Sequence, residues 1–505
     1  MSAAPMDGLS LSDEASLSHL RQRLQRDLNC LSDPDRSTRK RALTKLQKAL
    51  FREAKVPEAV LRGFLSRHLS ERLVGMMADP VEKCREMAGG LLLEFVDAVG
   101  GDALPEMTAL AKQVFSMAEV RIGSVPLVEP AEEVRALLLR LCGAVLRGNS
   151  AEMFGCEIAG EACGVLSAAL TDPFPEAKRE CCSLLLRLAD VCPEGLRSRL
   201  GKVLRPLILN LGHQHSKTRQ MTLQALGALL LCGSDDLDKP LRELILPQLR
   251  NLLYDRTVAV RRELVAVLAS LVAAGFLPPH DDDGGGGRNG NDAGGGHLAD
   301  SAVAPMDTAD DGDNSGGNDS NTTTTTGGGI SDAAEAGAEE ERRRACATTK
   351  KKYLEPHRAE LLSLLMKLLA DESEPVRGEA DRTLEGLGEA WAESSDNPSA
   401  STSEQQQQQN CSPPVPPLPT GLGITPARKT PPARPAVAAV RALCVSLLPS
   451  IMPAAIDEAS HWTVRGRRRA LWLLCFLVRY AGEEVTPYLP QLLASLGEAS
   501  RCVCV

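Results

Sequence analysis

The sequence predicts an all-α protein, a solenoid of helix pairs stacked side by side. Two observations carry the prediction. The chain of 505 residues is 43% hydrophobic but only 3% aromatic. Leu and Ala supply most of the apolar content, whereas sandwiches and barrels draw on β-branched and aromatic residues. The second observation is a recurring pattern: an apolar helix, an acidic residue often followed by Pro, and a base six positions after the acid.

The pattern appears as LSDPDRSTRKRA (Asp33, Arg39), MADPVEKCREMA (Asp79, Arg85), LVEPAEEVRALL (Glu129, Arg135) and LTDPFPEAKREC (Asp172, Lys178). It continues as LGHQHSKTRQMT (His213, Arg219), LYDRTVAVRREL (Asp255, Arg261) and LADESEPVRGEA (Asp371, Arg377). In an eighth copy, IDEASHWTVRGRRRA, Asp457 and Arg465 stand two residues further apart, and a ninth begins at PYLPQLLASL. Successive anchors from Asp33 to Asp255 are 46, 50, 43, 41 and 42 residues apart, close to the ~40–47 period of HEAT and armadillo repeats. The next two gaps are 116 and 86 residues, and each returns to 42 when residues 279–352 (74 residues) or 394–437 (44 residues) are set aside. The repeat phase continues across both stretches, which reads them as insertions in loops.

In chain order, residues 1–18 are expected to be disordered; they lack the basic end and apolar h-region of a secretory signal. Residues 19–278 hold about six HEAT repeats. In each, the acid is expected to N-cap the second helix, with Pro34, Pro80, Pro130 and Pro173 at the first helical position. The sixth repeat shows the periodicity: Leu241, Ile245, Leu249 and Leu252 on its first helix, Val260, Leu264, Val267, Leu268 and Leu271 on its second. Pro206, Pro247 and Pro490 fall in first helices, where kinks are expected. Residues 279–352, rich in Gly, Asp, Asn and Thr, are expected to be a disordered acidic insertion. Residues 353–393 form one further repeat. Residues 394–437, with Gln405–Gln409 and the run Pro413–Pro419, are a second disordered insertion. Its Pro414 and Pro417 have PxxP spacing, as SH3 ligands and ordinary Pro-rich linkers both do. Residues 438–505 carry the last repeats, the final one incomplete. Stacking buries the apolar faces that one pair cannot bury alone.

The net charge of −9 is concentrated in residues 279–352, which carry −8 and leave −1 for the rest. A near-neutral body suits nucleic acid poorly, because phosphate neutralisation drives that binding. The densest apolar run, Leu471 to Val478, is far shorter than the ~20 residues of a bilayer span. The 15 cysteines include no CxxC pair, so the spacing of a zinc site is missing, and they read as small buried hydrophobes in a reducing compartment. No P-loop, HExxH or GxSxG motif occurs, and no nucleophile–base pattern emerges. His213 and His215 flank Gln214 at a turn without a nearby third ligand. The sequence therefore assigns no catalytic, cofactor or metal residue. Basic clusters at Arg342–Arg344, Lys350–Lys352, and Arg465 with Arg467–Arg469 read as solvated linker ends and an exposed helix face, or as anionic-partner or nuclear-import signals. Cys502-Val503-Cys504-Val505 has the form of a prenylation end, but Val is not a typical last residue. The chain also stops within a repeat, so a truncated or alternatively spliced end is expected.

Three segments carry a closer resemblance: LTDPFPEAKREC followed about forty residues later by GHQHSKTRQ, then LADESEPVRGEADRTLEGLGEAW, then LPSIMPAAIDEASHWTVRGRRRALWLL. Together they resemble the HEAT-repeat dynein axonemal assembly factors, from about Asp33 to Leu496. His213–Arg219 and Trp462–Val464 are the most specific parts. The resemblance implies an α-solenoid scaffold without enzymatic activity. It implies a cytoplasmic protein that supports assembly of dynein arms before their transport into cilia or flagella. Implied partners are dynein heavy or intermediate chains, chaperones and other assembly factors, with no nucleic acid, membrane, cofactor or small-molecule substrate. The alternative is a general HEAT adaptor of transport-receptor or phosphatase-scaffold type that binds folded cargo. His213, Gln214, His215, Lys217 and Trp462 are candidate partner contacts. The repeat anchors from Asp33 to Arg465 are expected to cap helices and cross-link units.

Overall fold

The structure is a computed structural model. It describes residues 10–53, 56–99, 105–146, 151–276, 352–395, 435–460 and 463–502. Outside them lie most of both insertions with the Gln, PxxP and Arg342–Arg344 stretches, the ending from Val503, Trp462, and the first nine residues. The described residues belong to one compact unit, 1–277 with 346–505.

Among the described residues every regular element is helical. The first repeats are α1 (Leu11–Cys30) with α2 (Arg36–Phe51), and α3 (Glu58–Phe64) and α4 (Ser70–Met76) with α5 (Glu82–Val99). Then come α6 (Pro105–Ile122) with α7 (Glu132–Val145), and α8 (Ala151–Ala169) with α9 (Pro175–Val191). The fifth repeat joins α10 (Pro193–Arg197) and α11 (Leu200–Asn210) to α12 (Ser216–Cys232). The sixth joins α13 (Asp238–Pro240) and α14 (Leu246–Leu252) to α15 (Val258–Phe276). Beyond the insertions follow α16 (Arg358–Leu368) with α17 (Glu374–Ser395), α18 (Pro435–Ala459) with α19 (Val464–Ala481), and α20 (Leu489–Cys502).

The second helices pack in one continuous row, α2, α5, α7, α9, α12, α15 and α17. Their apolar faces meet the first helices in one unbroken core. All nine apolar positions named for the sixth repeat are buried, each worth roughly 1.5–3 kcal/mol against exposure. Gly89 shows how closely the row packs: a Cβ there would meet Leu137 Cδ2 and Met77 Cε, both at 2.9 Å. Gly233 and Gly482 end α12 and α19 at φ 76° and 59°, a conformation that costs glycine least.

The prolines depart from expectation. Pro34, Pro80 and Pro130 sit in the turn two residues before their helices begin, and Pro173 likewise precedes α9. Pro175 takes that helix's first position instead. Of Pro206, Pro247 and Pro490, only Pro206 lies in the interior of a first helix. Pro247 follows a π turn, Leu241–Ile245, in which Leu246 N–H reaches back to Leu241 O. The widened turn absorbs the bond that proline cannot donate. Pro490 is the second residue of α20, where no intrahelical N–H bond is lost.

One helix is longer and more apolar than the densest sequence run indicated. Val440–Ala459 within α18 reaches membrane-spanning length and composition. It was not evident in the sequence because Arg441, Ser446, Pro449, Ser450 and Pro453 break the run. Val440, Cys444, Leu447, Leu448, Ile451, Met452 and Ala455 are buried in the repeat core, while Pro449 and Pro453 are exposed.

Candidate functional site

The acid–base anchors converge into a ladder that joins each repeat to the next. Asp33 Oδ1 accepts from Asp35 N–H at 2.8 Å, Asp79 Oδ1 from Val81 N–H at 2.8 Å and Glu129 Oε1 from Ala131 N–H at 3.0 Å. Asp172, Asp255 and Asp371 accept at 2.8 Å from Phe174, Thr257 and Ser373 N–H. In each case the donor is two residues on, the reach of an Asx-type turn; at Asp33, Asp79, Glu129 and Asp172 the residue between is a proline, which has no N–H. The expected N-cap role is thereby corrected: the acid shapes the turn, and the helix starts beyond it. Asp35 is the side-chain cap of α2, accepting from Thr38 N–H at 2.9 Å, and Thr463 caps α19.

The bases reach forward. Arg39 grips Asp79 with two hydrogen bonds, 2.7 and 3.0 Å, while its third nitrogen donates to the Asp33 and Pro34 carbonyls of its own turn. Arg135 holds Asp172 at 2.6 and 2.9 Å, Arg219 holds Asp255 at 2.6 and 2.8 Å, and Arg261 holds Asp371 at 2.7 and 2.9 Å. These planar forks suit arginine. The side chains in these pairs are at most 10% exposed. The hydrogen bond to Asp79 raises the Arg39 pKa, and that to Asp172 raises Arg135. Burial alone would raise the Asp255 carboxyl, but the Arg219 and Thr257 hydrogen bonds hold it below its ordinary value.

Three joints differ. Glu129 accepts from Arg85 at 2.7 Å and from Arg121 through its other oxygen. The second cation leaves Arg85 Nε buried without a partner. Burial again opposes ionisation of Glu129, but Arg85, Arg121 and the Ala131 N–H together keep its pKa low. At the fourth joint the acid position holds His213. His215 N–H donates to His213 Nδ1 at 3.1 Å, so the imidazole reproduces the turn but offers no anion. Lys178 turns instead to Asn210 Oδ1 at 2.7 Å, and Asn210 donates to Leu170 O at 2.8 Å. Burial lowers the pKa of both Lys178 and His213, and Lys178, His215 and Arg219 lower His213 further.

The eighth copy does not extend the ladder in register. Asp457 lies within α18 and is exposed. Arg377, left without that acid, donates to Asp371 O at 2.6 Å and stacks on Trp472, 4.6 Å from its ring. Arg465 pairs backward with Glu372 at 2.5 Å.

Of the candidate partner contacts, His213, Gln214, His215 and Lys217 lie together on the turn entering α12. Gln214, His215 and Lys217 are exposed and His213 is partly buried. Trp462 lies outside the described residues. Among the described residues no group of three His, Cys, Asp or Glu is arranged to hold a metal ion. A depression of about 140 Å³ between α3–α4 and α6 is lined by Arg62, Ser66, Ser70, Glu71 and Gln113, without His, Cys or Asp. Cys84, Cys142, Cys163, Cys181, Cys182, Cys232 and Cys444 carry buried thiols, and burial pushes Cys142 up to about 12.

The ladder region is also where the chain is similar to known proteins. Residues 30–273 match the family described as "Dynein axonemal assembly factor 5-like, TPR repeats". The match spans just under half of the chain and runs from the end of α1 into α15, across the first six repeats. Dynein axonemal assembly factor 5 of Xenopus laevis is 30% identical over 268 residues, which is 50% of this chain and 29% of that protein. The Homo sapiens protein is 29% identical over 271 residues, 52% of this chain and 30% of that one. The chain thus aligns with under a third of the length of these relatives. A designed armadillo repeat protein covers 49% of the chain at 19% identity and a TM-score of 0.38.

Within the family's span lie the ladder joints from Arg39–Asp79 to Arg219–Asp255. The family's description calls its repeats TPR, whose period is ~34 residues. The anchors here recur at 41–50 residues. The sequence did not reveal Asn210 or Trp472 as joint residues, nor Asp35 as the cap of α2. Asn210 and Trp472 sit off the six-residue acid–base spacing and are recruited where neighbouring helices meet.

Proposed function

We propose that this chain is a non-enzymatic scaffold supporting cytoplasmic pre-assembly of axonemal dynein arms for cilia or flagella. The observation that carries the reading is the match of residues 30–273, the ladder-linked array, to the dynein axonemal assembly factor 5-like family. A row of second helices offers an extended protein-binding surface of the kind solenoids use, engaged through a few anchors in a large interface. In this reading the partners are dynein heavy or intermediate chains, chaperones and other assembly factors. Nucleic acid, membrane, cofactor and small-molecule substrate have no part in it.

The test is deletion of the gene in a flagellated host, with dynein heavy chains quantified by mass spectrometry in cytosol and axoneme. Loss from the axoneme with unstable cytosolic pools is the expected result. Normal arms and normal motor levels would overturn the reading and favour a general adaptor for folded cargo.

A further inference from the structure

Two exposed arginines along the second-helix row are neutralised by the neighbouring helix. Arg140 of α7 binds Glu176 and Glu180 of α9 at 3.1 and 2.9 Å. Gln220 and Gln224 of α12 donate to Glu263 of α15 at 3.2 and 2.8 Å, and Arg262 of α15 pairs with Glu379 of α17 at 3.2 Å. The arginines of α19 are largely engaged as well. Arg465 pairs with Glu372, Arg469 stacks 4.4 Å from the Tyr254 ring and Arg479 lies 5.5 Å from that of Tyr480.

Helix α2 is the exception. It exposes Arg36, Lys40, Arg41, Lys45 and Lys48. Among the described residues Arg36, Lys40 and Arg41 form no ion pair, and the exposed Lys45 and Lys48 reach Asp27 and Glu53 at 3.6 and 3.2 Å. The one nearby carboxylate on the helix start, Asp35, is committed to Thr38. At i, i+4 spacing these cations form two adjacent rows, 36/40/44/48 and 37/41/45. The first row runs about 18 Å and the second about 12 Å at 1.5 Å per residue. The other exposed members of the rows are Ser37 and Thr44.

We infer that this face of α2 docks an extended acidic segment of a protein partner. Five or six residues in extended form, at about 3.3 Å each, match the length of the longer cationic row. A carboxylate-bearing side chain can then meet each row. The neighbouring second helix confines the patch: α5 exposes Glu82 near its start and Asp97 near its end, and Glu86 pairs with Lys83. A nucleic-acid duplex running across the row would meet these acids, where phosphate binding needs cations. Nor does the α2 face carry the apolar side chains by which interfacial helices enter a bilayer. The inference does not depend on the dynein reading, and either can fail alone.

The test measures fluorescence anisotropy of a short labelled Glu/Ser peptide with the full chain. Unlabelled DNA duplex and phosphatidylserine vesicles serve as competitors. The wild-type chain is expected to bind the peptide and to lose affinity between about 50 and about 300 mM salt. Lys40→Glu/Arg41→Glu should weaken binding about tenfold or more, and Lys40→Gln/Arg41→Gln by less. Arg468→Glu, an exposed cation of α19, should bind like wild type. If the reversed variant melts early, the neutral variant and the salt series decide. Equal binding by the α2 variants, an equal loss in Arg468→Glu, or preference for duplex or vesicles over peptide would overturn the inference.

Discussion

Arg261 and Asp371 are joined by two hydrogen bonds of 2.7 and 2.9 Å across 110 positions of sequence. The same fork joins Arg219 to Asp255 across 36. The repeat after the first insertion therefore docks on the one before it as any neighbour does. Tyr353 O–H donates to Leu230 O, and His357 and Asp238 are in contact at 2.9 Å. Replacing residues 279–350 with a Gly/Ser linker of about ten residues should leave the melting temperature unchanged or slightly higher. Loop closure costs only about 0.6 kcal/mol per doubling of length. A large fall on thermal melting would show that the insertion itself holds the joint.

The ladder acids are worth more than helix caps. Asp255→Ala removes both the turn acceptor and the anion facing buried Arg219. Breaking such a pair from one side costs about 3–5 kcal/mol, whereas a lost cap costs about 1 kcal/mol. Asp255→Asn keeps an oxygen for Thr257 N–H and should fall between wild type and Ala. Denaturant unfolding distinguishes the two scales, and a loss near 1 kcal/mol for Ala would return the residue to a local turn role.

His213→Asp should stabilise the array. The carboxylate restores the acid of the fourth joint within reach of Lys178, whose ammonium is now disfavoured by burial. Hydrogen bonds to charged groups contribute about 1.5–3 kcal/mol, less the cost of burying the new charge. A net gain of about 1 kcal/mol is expected as a higher melting temperature. The gain should vanish in Lys178→Met, where the added carboxylate has no partner.

Acid should weaken the fold in two stages. The folded pKa of His213 lies below its ordinary 6.5, so the unfolded chain binds the proton first. Stability is then lost as pH falls from 6.5 toward the folded value. Glu129 and Asp255 lie below their ordinary 4.5 and 3.8. Their contribution is complete above those values and is lost as pH falls through the folded ones. Melting curves from pH 8 to pH 3 should show a shallow decline below about 6.5 and a steeper one below about 4. His213→Asp should reduce the shallow decline and leave the share of His68, whose pKa burial also lowers; an unchanged decline would show that His213 does not contribute to that stage.

The sequence by itself determined the helix pairs, their phase and the identity of most ladder members. Apolar periodicity and the six-residue step from Asp255 to Arg261 or from Asp79 to Arg85 are local properties of the chain. It did not determine what the acids do. Whether Asp79 caps its own helix or receives Arg39 depends on where the preceding repeat places its guanidinium, and that follows from helix stacking. Nor does spacing reveal substitution at a joint. Asn210 takes Lys178 because His213 offers no anion, and Trp472 takes Arg377 because Asp457 stays within a helix. Only the tertiary structure separates α2 from α19, two helices of similar basic sequence. Arg465 and Arg469 of α19 find a carboxylate and an aromatic ring on other elements, whereas among the described residues Arg36, Lys40 and Arg41 meet no carboxylate within ion-pair distance. A charge is available to a partner only when the fold leaves it unneutralised.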